Sequence, residues 1–555
     1  MIYQGVSNGV NKIAQYLNEH LLGEVNVDNP TLQRFSRDGS ILNITPELVV
    51  HPRVTNDIRK VARFSWQLAE KGHVMPITIR GGGSDKNGAA IGKGIIINTV
   101  AHLNKTIFIS HKNKDQFVHI QPGVNFMALN ETLKSHGFII PAYPSTSAYS
   151  TVGGAVANNS GGVQSGSYGL TGDWVKRLEV VLANGDLIET NRINKHELNK
   201  KKGLQTFEGD IYRKIDGIID DNQQTITDKI ANNEPDNTGY TGISKVKLRD
   251  GSFDLTPLLI GSQGTLGMMS EIVLKTDFYN ADNSIIVAVF DNPETARDFA
   301  ESMVSIQPTV LEMLDGKLFD MAHEQGKKYL LSENYLNRSV GTVIYASFND
   351  FKDHARNRKI KLSLKKLSKL ETTVYTSTDY SNDELDAMRE VSAVISNSGN
   401  KNETRPPIID GVSIPATRRE EFIVAVDELA VKHHISLPLH IQWLNGIVYT
   451  RPTLNLHVVS DKQKTFKLIN DYIELVVKYS GSMCADSGEG RLRSSAAYAQ
   501  LDDDEVEIYT QIKSVFDPFG ILNPGVKQKS ELKTLVSSLD PNYSSADFAQ
   551  YSQAE

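Results

Sequence analysis

The sequence predicts an α+β protein built from more than one folding unit, and three observations carry that reading. Its 555 residues are several times the ~150 typical of one domain. Up to about residue 280, short apolar runs alternate with glycine-rich segments, as strands joined by tight turns do. From Ser284 onward, strand-like runs alternate with helical ones, the pattern of a sheet with helices laid on one face.

Residues 10–22 (VNKIAQYLNEHLL) place apolar side chains at helical spacing and open the chain with a short amphipathic helix. LVVHP (48–52) is strand-like, and a helix over about 54–72 repeats Ile58, Val61, Phe64 and Leu68. MPITIRGGG (75–83) is a strand that runs into glycines. GIIIN (94–98), FVHIQPG (117–123) and LEVVLANGDLIET (178–190) are further strands, the last a hairpin across Asn184-Gly185. Asn125–His136 reads as a helix stopped by Gly137. The stretch 191–253 is polar and lysine-rich without a long apolar run, so it is expected to decorate the first domain rather than enter its core. Residues 258–276 close that domain.

SIIVAVF (284–290), a helix near 293–306, PTVLEML (308–314) and VIYASF (343–348) build the second unit. Residues 463–527 are mostly helical and end at Asn523-Pro524-Gly525. The expected division is 1–40 (a helical lead), 41–280, 281–475, 476–527 (a segment returning to the first domain), and 528–555, a polar tail expected to be mobile.

Composition narrows the class. With 39% hydrophobic and 23% charged residues, the chain is an ordinary globular protein and not a disordered one. A net charge of -7 argues against a surface built for nucleic acid. A single cysteine, Cys484, excludes an internal disulfide, cysteine-held iron–sulfur clusters and multi-cysteine zinc sites. No window approaches the ~18 apolar residues of a membrane span, and the N-terminus lacks the features of a signal peptide. A cytoplasmic protein is expected, with membrane contact at most peripheral; no oligomeric state follows.

Four glycine-rich segments stand out: Arg80-Gly81-Gly82-Gly83-Ser84-Asp85, Thr151–Gly162 (TVGGAVANNSGG), Ser167-Tyr168-Gly169, and Gly261–Gly267 (GSQGTLG). Successive glycines let backbone N–H groups converge, which suits a phosphate, although a plain tight turn has the same composition. Small side chains in the second segment leave room for a flat ligand, or else mark a packing loop. None matches the dinucleotide fingerprint or the triphosphate loop.

In their order these segments resemble the FAD-binding oxidoreductases of the PCMH (vanillyl-alcohol-oxidase) type, and within them the D-lactate, glycolate and D-2-hydroxyglutarate dehydrogenase branch. FSRDGS (35–40), RGGGSDKNG (80–88), VHIQPGV (118–124), PAYPSTSAYSTVGGAVANNSGG (141–162), LLIGSQGTLGMMSEIVLK (258–275) and FDPFGILNPGVK (516–527) carry it. The resemblance implies a two-part FAD-binding domain, an α+β cap domain and a returning C-terminal segment. It implies that Arg80, Gly81, Gly82, Gly83, Ser84 and Asp85 cradle the FAD pyrophosphate. Pro144, Ser145, Thr146, Ser147, Thr151, Gly153, Gly154, Asn158, Asn159, Gly161, Gly162 and Gly169 would line the flavin, Gly267 to Ile272 the adenine end, and Asn523 the closing segment. Ser84 stands where some relatives carry a flavin-linking histidine, so non-covalent FAD is expected.

The resemblance also implies that Arg389, in DAMRE (386–390), grips a substrate carboxylate; a guanidinium offers a planar fork for it. A surface arginine would look the same in sequence. The relatives' metal motif departs here. Aligned on Arg451-Pro452, its two histidines fall on Gln442 and Tyr449, and Asp486-Ser487-Gly488-Glu489 replaces a carboxylate–histidine pair. Serine has no basicity of its own near neutral pH, so no metal is expected and the base must be sought elsewhere. His440 is the first candidate and Tyr449 the second, with Asp486, Glu489 and Arg493 beside them; His457 is weaker, and Cys484 reads as packing. Lys352–Leu370, with eight Lys/Arg and one Asp, is a basic amphipathic helix that could face anionic lipid or an acidic redox partner.

The expected activity is oxidation of a small 2-hydroxy acid such as D-lactate by FAD, with a quinone, cytochrome or flavoprotein as electron acceptor. The alternatives are an FAD enzyme of another alcohol, and a flavin-binding electron-transfer or assembly subunit with little turnover.

Overall fold

The computed structural model describes residues 8–112, 115–231, 235–335, 339–396, 403–529 and 532–544. The fold is α+β, assembled on three principal sheets. The first has four strands in the order Glu24–Asn26, Leu48–His51, Ile95–Asn98, Ile77–Arg80. Its last three run parallel, so a helix, Thr55–Glu70, makes the crossover, burying Ile58, Val61 and Ala62. The second has five antiparallel strands, with Met268–Lys275 at its centre between Asp115–Ile120 and Val175–Val181. The chain thus returns from 268 to complete the sheet begun at 106.

The third sheet has seven antiparallel strands: Thr373–Thr376, Ser284–Phe290, Thr342–Phe348, Val310–Leu314, His440–Gln442, Ile447–Tyr449 and Val412–Ser413. Alternation along each strand separates two faces. Ile286, Ala288, Leu311, Met313, Ile344, Ala346 and Ile441 turn to one side, onto Phe299, Leu367, Phe422 and Ile469 of four helices. Ile285, Val287, Val310, Leu314, Val343 and Tyr345 turn to the other, onto Phe319, Leu385 and Met388. Helices therefore cover both faces in part, where one covered face was expected.

The basic run forms the helix Asp353–Leu367. Leu367 is buried, and Ile360 and Leu364 pack against the core, so the apolar stripe faces the sheet while Arg358, Lys361, Lys365 and Lys369 face outward. Among the described residues, no helix is long and apolar enough to cross a membrane.

Two expectations need correction. Within 191–253, the helix Phe207–Asp221 buries Ile211, Tyr212, Ile215, Ile218 and Ile219 in the core of the five-stranded sheet. Its apolar residues recur at helical spacing, which a search for continuous apolar runs misses. The tail after 528 is not simply mobile: Leu535, Leu539 and Tyr543 are buried, Leu539 pairs with Leu42, and Arg37 Nε meets Asp540 at 2.6 Å. Residues 530–531 and 545–555 of that tail, and 1–7 of the lead, lie outside the described residues.

The returning segment joins the sheets: Ser482 pairs with Ser413 of the seven-stranded sheet, and Leu522 with Ile77 of the four-stranded one. At its end the Lys527 ammonium lies 2.9 Å from Glu489 Oε2, both side chains fully buried, and donates to the carbonyls of Asn237 (2.6 Å) and Gly239 (2.8 Å). Removing one partner of such a pair strands the other charge. Lys527→Met is expected to destabilise the protein by about 3–5 kcal/mol, read as a lower denaturant midpoint; an unchanged midpoint would refute the pair's structural role.

Candidate active site

The strand Ile77–Arg80 delivers Gly81–Gly83 against the loop 149–151. A Cβ on Gly81 would stand 2.1 Å from Thr151 Oγ1, and one on Gly82 2.2 Å from the Tyr149 carbonyl, so only glycine allows this approach. Gly83 takes φ +75 and covers the Arg80 guanidinium, whose Nη1 donates to the Arg37 carbonyl at 2.6 Å. Arg80 therefore props the loop from behind and does not line the cleft in front of it. Burial lowers its pKa to about 10, which still leaves it charged.

That cleft, about 820 Å³, is lined by Gly81 to Lys86, Pro144 to Thr146, Ser150, Thr151, Gly154, Asn158, Gln263, Gly264, Asp486 and Ser487. A smaller hollow of about 370 Å³ continues it past Gly154 and Gly264 to Thr99, Pro122, Gly153, Gly267 and Met269. Backbone and small side chains form both walls, so an elongated ligand can lie along them. Asp85 accepts from the backbone of Asn87 (3.0 Å) and Ala89 (2.7 Å) and from Asn158 Nδ2 (3.0 Å); burial raises its pKa against those bonds. Ser84 Oγ lies 2.8 Å from Ser150 Oγ.

Several expected cofactor residues stand elsewhere. Asn159, at φ +47, turns to Asn237 (2.7 Å) and Gly172 (2.8 Å), and with Gly169 borders a separate hollow beside Asp236 and Tyr240. Gly161 and Gly162 back onto Asp486 and the Tyr143 carbonyl. Ser147 does not reach the lining; its carbonyl accepts from Met127 N at 3.2 Å. Ile272 is fully buried in the core of the five-stranded sheet. Asn523 is buried beneath the cleft, where it donates to Ala89 and Gln263 and accepts from Arg491 and Thr78.

Asp486 brings the cleft to the seven-stranded sheet. It accepts a hydrogen bond from Tyr449, and burial raises its pKa while Lys86 opposes that shift. Burial, then the Asp486 charge, pushes the Tyr449 phenol well up. Across the hairpin, Tyr449 is paired with His440, and Gln442 with Ile447. His440, not Gln442, thus faces Tyr449, at a ring separation of 5.5 Å. Gln442 is spent on the Gly162 carbonyl and Ser165 Oγ, both at 3.0 Å.

His440 Nε2 lies 3.1 Å from Glu312 Oε2. Arg389 sits over the Tyr345 ring at 5.9 Å and 3.1 Å from Glu390; burial works against its charge, but Glu312, Tyr345, Asp386 and Glu390 outweigh that and raise its pKa. The expected candidates His440, Tyr449 and Asp486 thus follow one another in space, and Glu312, beside His440, acts on Arg389 through its charge. Glu489 stands apart: it is sequestered with Lys527. Arg493 is fully buried and donates to the carbonyls of Asp410 and Met483, His457 is exposed, and burial pushes the Cys484 thiol up to about 12.

Two residues escaped the sequence reading. Glu312 is the one carboxylate inside the apolar strand Val310–Leu314, a signal in itself because a buried charge needs a purpose. Lys86, in the glycine segment, lines the cleft, with Nζ 5.7 Å from the Tyr449 ring and 3.9 Å from Asp410. The donor set around Asp486, a protonated phenol and an ammonium, is ill suited to a divalent cation. Among the described residues no three His, Cys, Asp or Glu side chains gather as a metal site would need.

Residues 46–191 match the family described as FAD binding domain, and residues 280–526 the FAD linked oxidases, C-terminal domain. The chain is 26% identical over 502 residues to D-2-hydroxyglutarate dehydrogenase of Pantoea ananatis, covering 88% of this chain and 48% of that protein; it thus spans about half the length of that relative. It is 23% identical to glycolate oxidase subunit GlcD of Bacillus subtilis, over 86% of this chain and 88% of the other. Its fold is that of p-cresol methylhydroxylase: TM-score 0.68 at 14% identity, over 95% of this chain and 98% of that one. With both family matches following one another along a chain that carries a glycine-walled cleft, the chain belongs to the FAD-linked oxidoreductases in which an FAD binding domain precedes an FAD-linked oxidase C-terminal domain, and FAD is its cofactor.

Proposed function

We propose that this protein is a dehydrogenase that oxidises the CH–OH group of a small 2-hydroxy acid and passes the electrons to a quinone, cytochrome or flavoprotein. One observation carries the reading: the imidazole of His440 stands between Glu312, whose charge acts on Arg389, and Tyr449, which meets Asp486 in the cleft wall. The names of the related D-2-hydroxyglutarate dehydrogenase and glycolate oxidase subunit agree with that substrate class.

Gly81–Asp85 and the 144–158 wall would hold FAD non-covalently, and FAD would supply the hydride acceptor. Arg389 binds the substrate carboxylate through its fork. His440 takes the hydroxyl proton as the carbonyl forms, so the carbon loses a hydride and the oxygen a proton. Tyr449 is not the base: a phenol with a raised pKa stays protonated and donates. Because the donors around Asp486 do not suit a divalent cation, the reaction is assigned no metal.

Anaerobic bleaching of the flavin by D-lactate, D-2-hydroxyglutarate or glycolate, but not by alcohols lacking a carboxylate, is the expected result. Bleaching only by the latter would move the assignment to another alcohol, and no bleaching by any of them to an electron-transfer subunit. Arg389→Lys keeps the charge and loses the fork, which should weaken carboxylate binding about ten- to a hundredfold, the equivalent of ~1.5–3 kcal/mol; an unchanged Michaelis constant would remove Arg389 from the site. Acid precipitation should release yellow flavin into the supernatant, whereas flavin retained by the chain would mean a covalent link. Prolonged chelation should leave the rate of flavin reduction unaltered, and a loss restored by zinc or manganese would contradict the metal-free assignment.

A further inference from the structure

The strand Val310–Leu314 is buried along its whole length, and Glu312 within it is 1% exposed. A carboxylate in such a place is costly unless it is paired. Neither of its oxygens accepts a hydrogen bond. Its two direct cross-strand neighbours are Gln442 and Tyr345, and both are committed elsewhere. Gln442 serves Gly162 and Ser165, and the Tyr345 hydroxyl donates to Asp386 at 2.5 Å.

His440 remains. It is paired with Leu314, so it lies diagonal to Glu312 on the same face of the sheet, a separation long side chains can bridge. Its Nε2 is 3.1 Å from Glu312 Oε2, off the line of a hydrogen bond, and is itself buried without a partner. A small turn of the imidazole would make that bond. The other groups around the pair are Tyr449 across the hairpin with Asp486 beyond it, and Arg389 with Tyr345 beside Glu312.

We propose that Glu312 is the positioning residue of the proton acceptor: its carboxylate holds the His440 imidazole with the proton on Nε2, so that Nδ1 presents its lone pair to the substrate hydroxyl. The inference rests on the assignment of His440 as the base. The hydroxyl proton goes to Nδ1 as the carbonyl forms, the hydride being the part that bound FAD would accept. The Glu312 carboxyl, 3.1 Å from Nε2, then keeps the ring in place while Nδ1 holds the proton.

The test compares Glu312→Gln, His440→Ala and the double variant in the FAD-loaded full chain. FAD content, anaerobic flavin reduction by D-lactate and by D-2-hydroxyglutarate, and the spectrum of ¹⁵N-labelled histidine are measured. The His440 resonances are assigned by their loss in His440→Ala. The wild type should show the Nε2–H tautomer and Glu312→Gln a mixture of both. Glu312→Gln should keep FAD and lower the limiting rate about ten- to a hundredfold, with no further loss in the His440→Ala background. A wild-type Nδ1–H tautomer, an unchanged rate, or an equal loss in both backgrounds would overturn the proposal. Should His440→Ala alone leave flavin reduction intact, the base assignment fails, and the tautomer comparison still decides whether Glu312 orients the ring. If Glu312→Gln does not retain FAD, Glu312→Asp replaces it: the Nε2–H tautomer should persist there, and its loss would count against the proposal.

Discussion

The arrangement depends on one turn, residues 484–493, clamped by buried charges whose partners are largely backbone carbonyls. Arg491 donates to Gly88 (2.6 Å), Asn523 (2.7 Å) and Pro524 (3.0 Å), which fastens the turn to the cofactor side. Arg493 donates to Asp410 at 2.8 Å and to Met483, which fastens it to the seven-stranded sheet. Glu489 and Lys527 neutralise each other between them. Buried cations satisfied in this way resist displacement, because every broken bond would leave an unsolvated charge. Asp486, carried on this turn, is thereby held between the cleft and the sheet.

The sheet supplies the other half of the site through its two-residue periodicity. One of its faces is apolar and packed by helices. Along the opposite face, Tyr345, Glu312 and Gln442 form one cross-strand row, and His440 and Tyr449 the next pair. A slip of one residue in Val310–Leu314 would turn Glu312 into the helix-covered core and Leu311 toward the polar groups. The same register that builds the core thus aims the chemistry. This explains why the polar residues sit in short strands flanked by strongly apolar ones.

The contacts around Asp486 also show how side chains alone hold a buried carboxylate. Tyr449 stays protonated and donates to it, and Lys86 provides a neighbouring positive charge. The ammonium is a compact charge on a flexible stem, so it can adjust to an anionic ligand entering the cleft. The hydroxyls of Thr146, Ser150 and Ser84 form a relay along the opposite wall, where a flat ligand would meet donors that can also accept.

The glycine segments were legible because their message is local. A positive φ at Gly83 and the close approaches at Gly81 and Gly82 admit only glycine, and together they spell out the cleft and, through their order along the chain, the family and FAD. The helical period of 207–221 was equally local but hidden by its polar intervals. What the tertiary structure alone decided is which distant side chains meet. Ile272 and Asn159 lie in segments that the sequence associates with the cofactor, yet Ile272 packs into the sheet's core and a left-handed Asn159 turns to Asn237. His440, rather than Gln442, faces Tyr449 because a hairpin is paired by its hydrogen-bond register and not by its distance from an Arg-Pro landmark. Glu312 stands 128 residues before His440 in the chain and beside it in space. No local spacing encodes such a meeting; it arises only when strands distant in sequence share a ladder of hydrogen bonds and one buried face.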